Sequence, residues 1–211
     1  MITLCWSAKG GSGTTTVAAA LALSAHHPTL LVDLAGDAAL ALGLAPDGQP
    51  TLAEWFSSDV GSERLVHLRR RVTGDLELLP TSAGVPSTGT ADRWHPFAAH
   101  LRAVAADRDV VVDVGARVPP TPLIAVAERS WLVTRRCYLA VVRAQRLACR
   151  PTGIVIVDEP GRALTADDVA AAIGAPIVAT LLHDPKIARA VDSGLAVSRL
   201  PRACLQELHA A

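Results

Sequence analysis

The first 25 residues constrain this chain more than any other stretch. An apolar run over 2–6 leads into Ala8-Lys9-Gly10-Gly11-Ser12-Gly13-Thr14-Thr15-Thr16, and an alanine-rich helical run over 17–25 follows. Strand, glycine loop and helix in that order form the entry to an α/β sheet, and this is the context a phosphate-binding loop requires. Glycines let such a loop close into a concave nest whose N–H groups meet phosphate oxygens at a helix N-terminus. In the ordinary pattern, GxxxxGKS or GxxxxGKT, a lysine after the last glycine reaches the outer phosphates and the next hydroxyl binds magnesium. Here Thr14 stands at the lysine position and Thr15 at the hydroxyl position, while a lysine occurs earlier, at Lys9. Gly10, Gly11, Ser12, Gly13, Thr14, Thr15 and Thr16 are therefore the candidate nucleotide-binding residues, in a loop that keeps its glycines and has lost one cation.

The rest of the chain reads as alternating strands and helices. Short apolar runs over 2–6, 29–34, 76–79, 109–114, 130–134, 153–157 and 177–182 predict strands, and runs over 17–25, 91–106, 138–149 and 166–173 predict helices. Continuous apolar strands separated by helices predict a doubly wound, mostly parallel sheet of seven or eight strands, covered on both faces. Ligands in such sheets bind at the carboxyl ends of the strands. Residues 84–89, with Pro86, read as a loop, and no repeat or low-complexity tail divides the chain, so one domain over 1–211 is expected. Thr165 ahead of Asp167 and Asp168 predicts a capped helix start.

Two strands end in aspartate. The run over 30–34 carries Asp33, followed by Ala35, Gly36 and Asp37, where Asp37 is positioned to cap a helix over 38–42. The run over 109–114 carries Asp113 ahead of Gly115, the arrangement that holds a magnesium ion opposite the hydroxyl of a phosphate loop, so Thr15 and Asp113 are the candidate metal ligands.

The lysine before a double glycine resembles the deviant Walker A loop of the ParA/MinD-type ATPases, a branch of the SIMIBI class of P-loop NTPases, and the likeness continues over nearly the whole chain. That resemblance implies ATP and Mg2+ as cofactors, and a homodimer that sandwiches nucleotide, with Lys9 crossing to the partner's phosphates. It assigns catalytic positions to Lys9 and Asp33. The family's strand ends Asp-x-Asp, and its second aspartate, which organises the attacking water, is matched here by Ala35; Asp37, two residues beyond on Gly36, is the alternative stand-in, disfavoured because water positioning tolerates little displacement. With Thr14, that departure implies ATP hydrolysis that is slow or absent. Prolines at 119, 120 and 122 resemble the family's phosphate-sensing switch. The base-reading asparagine is matched by Asp158, which accepts a hydrogen bond but cannot donate one when ionised. The stretch over 181–185, ending in Pro185, resembles the wall that closes over the base, with helix capping by Asp184 as the other reading. The text over 40–44 and 51–55 is closest to the CpaE/TadZ branch.

Composition narrows the partners. Twenty basic and 20 acidic residues balance, so no global field draws the chain to nucleic acid or an acidic membrane. Basic residues are nearly all arginine, clustered at Arg69-Arg70-Arg71 and through Arg135, Arg136, Arg143, Arg146 and Arg150, which reads as solvated helix surface ahead of a DNA site. Cys5, Cys137, Cys149 and Cys204 show no metal-ligand spacing. With no signal peptide, no span and a C-terminal segment poorly charged for a membrane anchor, a cytoplasmic location is expected. Three functions remain open: a nucleotide-binding localisation or assembly factor that docks an unknown protein partner or cargo, a partition ATPase on nonspecific DNA, and a scaffold that keeps the fold without a ligand.

Overall fold

The computed structural model describes residues 1–45, 47–82 and 91–211, so the loop expected over 84–89 lies outside the described residues. The described residues build an eight-stranded sheet in the order β3-β4-β2-β5-β1-β6-β7-β8. Its strands are β1 (Ile2–Trp6), β2 (Thr29–Asp33), β3 (Arg70–Arg71), β4 (Leu76–Leu79), β5 (Asp109–Gly115), β6 (Arg129–Thr134), β7 (Gly153–Asp158) and β8 (Ile177–Leu182). All neighbouring pairs run parallel except β3 with β4. The doubly wound parallel sheet expected from the strand and helix alternation is thus what the chain forms.

Side chains alternate across that sheet and separate two cores. Ile2, Leu4 and Trp6 of β1, with Leu30 and Val32 of β2, enter one apolar cluster, whereas Cys5 and Leu31 enter the other. The first cluster lies under α3 (Leu52–Phe56), α4 (Ala91–Val104), α5 (Thr121–Val126), α6 (Tyr138–Gln145) and α7 (Ala166–Ile173). The second lies under α1 (Thr14–Ser24), α2 (Ala38–Ala41), α8 (Pro185–Asp192), α9 (Ala196–Arg199) and α10 (Arg202–His209). Ala18, Ala19 and Ala20 of α1 are fully buried, and their small side chains let the helix lie close against the sheet. That close packing fixes where the N-terminus of α1 points.

Several boundaries differ from the sequence pattern. The first helix begins at Thr14 rather than residue 17, because the glycine loop delivers the chain in helical register despite three β-branched threonines. The helix expected over 138–149 ends at Gln145: Leu147 N–H bonds back to Ala144 O at 3.1 Å, a tightened last turn, and the chain then extends toward Pro151. Arg70 and Arg71 form an edge strand instead of a helix face. Arg70 pairs with Asp47 at 3.0 Å and Arg69 with Glu77 at 3.5 Å. Thr165 caps α7 as expected, its hydroxyl accepting from Asp168 N–H at 3.1 Å. The four cysteines are free thiols. No helix among the described residues is long and apolar enough to cross a membrane.

Candidate functional site

β1 lies centrally, with β5 on one side and β6 on the other, so the loop at its carboxyl end opens where the chain's winding reverses. Gly11 at φ 74° and Gly13 at φ 90° take left-handed conformations that L side chains resist, and these two turns curl the loop into its nest. Ser12 Oγ donates to Lys9 O at 2.8 Å and Ser7 Oγ donates to the same carbonyl at 3.1 Å. Ser7 N–H bonds to Gly115 O at 2.9 Å, tying the start of the loop to the end of β5. These bonds brace the nest without a ligand. Helix α1 starts directly from Gly13 with no side-chain cap, leaving first-turn N–H groups turned toward the opening.

A cleft of about 620 Å³ opens over this loop. One wall is residues 10–16; the other comprises Leu34, Ala35 and Asp37 beyond β2 and residues 114–117 at the end of β5, with Asp192 reaching in from α8. All the predicted loop residues, Gly10 to Thr16 in turn, meet in this one opening. Lys9 does not line it: its amine lies at the surface, 3.4 Å from Gly10 O.

Beneath the cleft, Asp33 and Asp113 sit side by side in register on β2 and β5, and both are fully buried. Asp33 is occupied by backbone. Its Oδ1 accepts from Ala35 N–H at 2.9 Å and Gly36 N–H at 2.7 Å, and Oδ2 from Ala38 N–H at 3.1 Å. Asp33, not Asp37, thus holds the start of α2, since among the described residues Asp37 makes no capping bond and instead lines the cleft. Burial raises the Asp33 carboxyl to about 6 against those three donors.

Asp113 is arranged differently. Oδ1 accepts from Gly115 N–H at 3.0 Å, whereas Oδ2 is buried with no hydrogen-bond partner among the described residues. Burial first, and the neighbouring Asp33 second, raise this carboxyl to about 7, although the Thr15 hydroxyl lies near enough to favour the charged form. An orphaned oxygen beside a hydroxyl, on a carboxyl that resists charging alone, fits a divalent cation at Thr15 and Asp113.

Two residues that no motif announced complete the cleft. Arg117 donates from Nε to Val114 O at 3.1 Å and from Nη2 to Leu34 O at 2.5 Å, so its guanidinium spans the ends of β5 and β2. Burial lowers its pKa while Asp113 and Asp33 pull it back up. Its signal in the sequence was only its place two residues past the Asp113-to-Gly115 motif; Asp192 gave none.

A second cleft of about 100 Å³ adjoins the first through Gly13 and Thr16, walled by Val157, Leu181 and Ile187 with Arg135, His183 and Asp184. Asp158 and Pro185 are not on its wall. Asp158 is engaged by Arg136, which also donates to Leu164 O at 2.9 Å. Pro185 opens α8, where Asp184 accepts from Lys186 N–H at 2.8 Å, so Asp184 both caps and lines.

Neither the family models nor the curated protein sequences give a match to this chain. Solved structures do. The chain is similar to MinD in the MinC:MinD cell division complex of Aquifex aeolicus (17% identity, TM-score 0.78, covering 99% of this chain and 92% of that one). It is also similar to a ParA family ATPase from Chlorobium tepidum TLS (21%, 0.72, 98% and 96%). A third is the septum site-determining protein MinD of Pyrococcus horikoshii OT3, complexed with Mg-ADP (20%, 0.74, 100% and 94%). The fold is that of the MinD and ParA ATPases. At this identity the likeness establishes architecture; what the site does rests on its own residues.

Proposed function

We propose that this chain binds Mg·ATP with its phosphates on residues 10–16, and that nucleotide-bound copies pair to act as a localisation or assembly factor with little turnover. The observation that carries the reading is the braced glycine nest at the start of α1, set beside the unpartnered Asp113 Oδ2 and the Thr15 hydroxyl. Thr15 and Asp113 would hold magnesium, which when bound supplies positive charge to the phosphates. The loop's N–H groups orient the phosphate chain, and the smaller cleft receives the base. MinD of Pyrococcus horikoshii is described with Mg-ADP, and McdA(D38A) of Cyanothece with ATP, which agrees with this assignment.

The departures bear on chemistry more than on binding. Thr14 is buried and lines the cleft without a charge, and Ala35 offers no carboxylate to orient water. Losing one preorganised transition-state donor typically costs about 10²–10³ in rate. Lys9, on the surface rather than in its own cleft, is suited to contact phosphates held by a second copy. From the text over 40–44 and 51–55 we place the chain nearest the CpaE/TadZ branch, acting in the cytoplasm on a protein partner. Calorimetry with ATP and magnesium tests the binding step. Wild type should bind, and Thr15→Ala or Asp113→Ala should lose the magnesium-dependent part; absence of binding at millimolar ATP would favour a ligand-free scaffold.

A further inference from the structure

The cleft is acidic for a site that takes phosphate. Asp37 and Asp192 line it and Asp33 and Asp113 lie under it, while the loop contributes no cation because Thr14 replaces the lysine and Lys9 lies outside. Polyphosphate carries several negative charges, and bringing it among four carboxylates requires positive charge to offset the repulsion. A single divalent ion at Thr15 and Asp113 offsets only part of that charge, and Lys9 of a second copy would contribute only once two copies pair. Among the described residues, Arg117 is the cationic side chain on the wall of the main cleft.

Its mounting suits phosphate. The Leu34 and Val114 carbonyls hold two of its nitrogens, fixing the guanidinium at the carboxyl ends of β2 and β5. An arginine fork presents several N–H donors in one plane and keeps its charge at any ordinary pH. We propose that Arg117 contacts the outer phosphates of the bound nucleotide and supplies from the other wall the charge-assisted contact that Thr14 cannot make from the loop. The inference rests on the nucleotide-binding reading and adds to it a specific residue and a specificity for polyphosphate over monophosphate.

The test measures ATP, ADP and AMP affinity with magnesium, by displacement titration, for wild type, Arg117→Ala, Arg117→Lys and the double variant Thr14→Lys/Arg117→Ala. A lost charge-assisted contact should weaken ATP and ADP roughly ten- to a hundredfold in Arg117→Ala while AMP changes little. Arg117→Lys should recover part of the loss, and Thr14→Lys should recover it from the loop, which a variant that merely misfolds would not do. ATP affinity within about twofold of wild type in Arg117→Ala overturns the inference and leaves the nucleotide-binding reading standing. Equal losses for ATP and AMP that Thr14→Lys does not repair also overturn it, assigning Arg117 to loop structure. Failure of the wild type to bind any of the three nucleotides overturns both.

Discussion

Replacing Asp113 by asparagine should stabilise the ligand-free protein near neutral pH and remove its response to magnesium. The Asp113 carboxyl has its ordinary value of 3.8 raised to about 7 in the folded chain, so above that pH it is buried, charged, beside Asp33, and with Oδ2 unpartnered. A tenfold change in proton affinity corresponds to about 1.4 kcal/mol, so the full displacement sets a ceiling of ~4 kcal/mol. An asparagine keeps an oxygen for Gly115 N–H but adds an amide donor of its own, leaving a net gain of about 2–4 kcal/mol, or roughly 5–15 °C in Tm for a chain of this size. The sign with pH follows from proton uptake: the folded state holds the proton that the unfolded state has released between about 4 and 7. Stability from this group is therefore complete below about 4, falls across that window, and is lost above it. Asp33, raised to about 6, adds the same slope over a narrower range. Urea unfolding without magnesium at pH 5 and pH 8 should show a variant advantage that is markedly larger at pH 8 than at pH 5, with Mg·ATP then stabilising wild type but not Asp113→Asn. A variant less stable than wild type at pH 8 would refute the claim that this carboxyl is a strained, waiting ligand.

Other substitutions probe the loop and its surroundings. Thr14→Lys restores the missing cation of the phosphate loop and should raise phosphate release above a near-silent parent; a brisk parent slowed by this change would show that the loop has its own competent chemistry. Lys9→Ala should reduce ATP-dependent dimerisation in sedimentation while leaving ATP affinity of the monomer within a few fold, because its amine lies outside the cleft. Gly13→Ala forces a side chain into φ 90° and should cost roughly 1–2 kcal/mol in unfolding experiments while also weakening ATP binding by disturbing the nest. Binding to nonspecific duplex DNA should be weak at physiological salt and fall steeply as salt rises, and a low-micromolar gel shift lost on replacing Arg143, Arg146 and Arg150 would revive the partition reading.

What the sequence revealed, and what it hid, divides along a physical line. Continuous apolar strands with helices between them follow from burial on both faces, so seven of the eight strands described were legible, and the eighth, Arg70–Arg71, is too short and too polar to announce itself. Contiguous motifs were equally legible: the loop of residues 10–16 and the Asp113 strand end each carry their geometry in adjacent residues. Sites assembled from distant segments were not. Arg117 acquires its place only because β2 and β5 are neighbours, and Asp192 only because α8 packs beside α2. Asp33 was legible as a conspicuous acid, but only the backbone path beyond β2 reveals that three N–H groups occupy it. Asp158 similarly gave no hint of Arg136, since ion-pair partners across a sheet end leave no mark in local sequence.

The sharpest test of nucleotide binding at this loop is a crystal structure of the protein grown with millimolar ATP and magnesium. Phosphates should be cradled by residues 10–16, with a metal ion between Thr15 and Asp113, the base against Val157 and Leu181, and the Arg117 guanidinium facing the outer phosphates. A bare loop under those conditions, or nucleotide bound elsewhere on the molecule, would contradict the assignment.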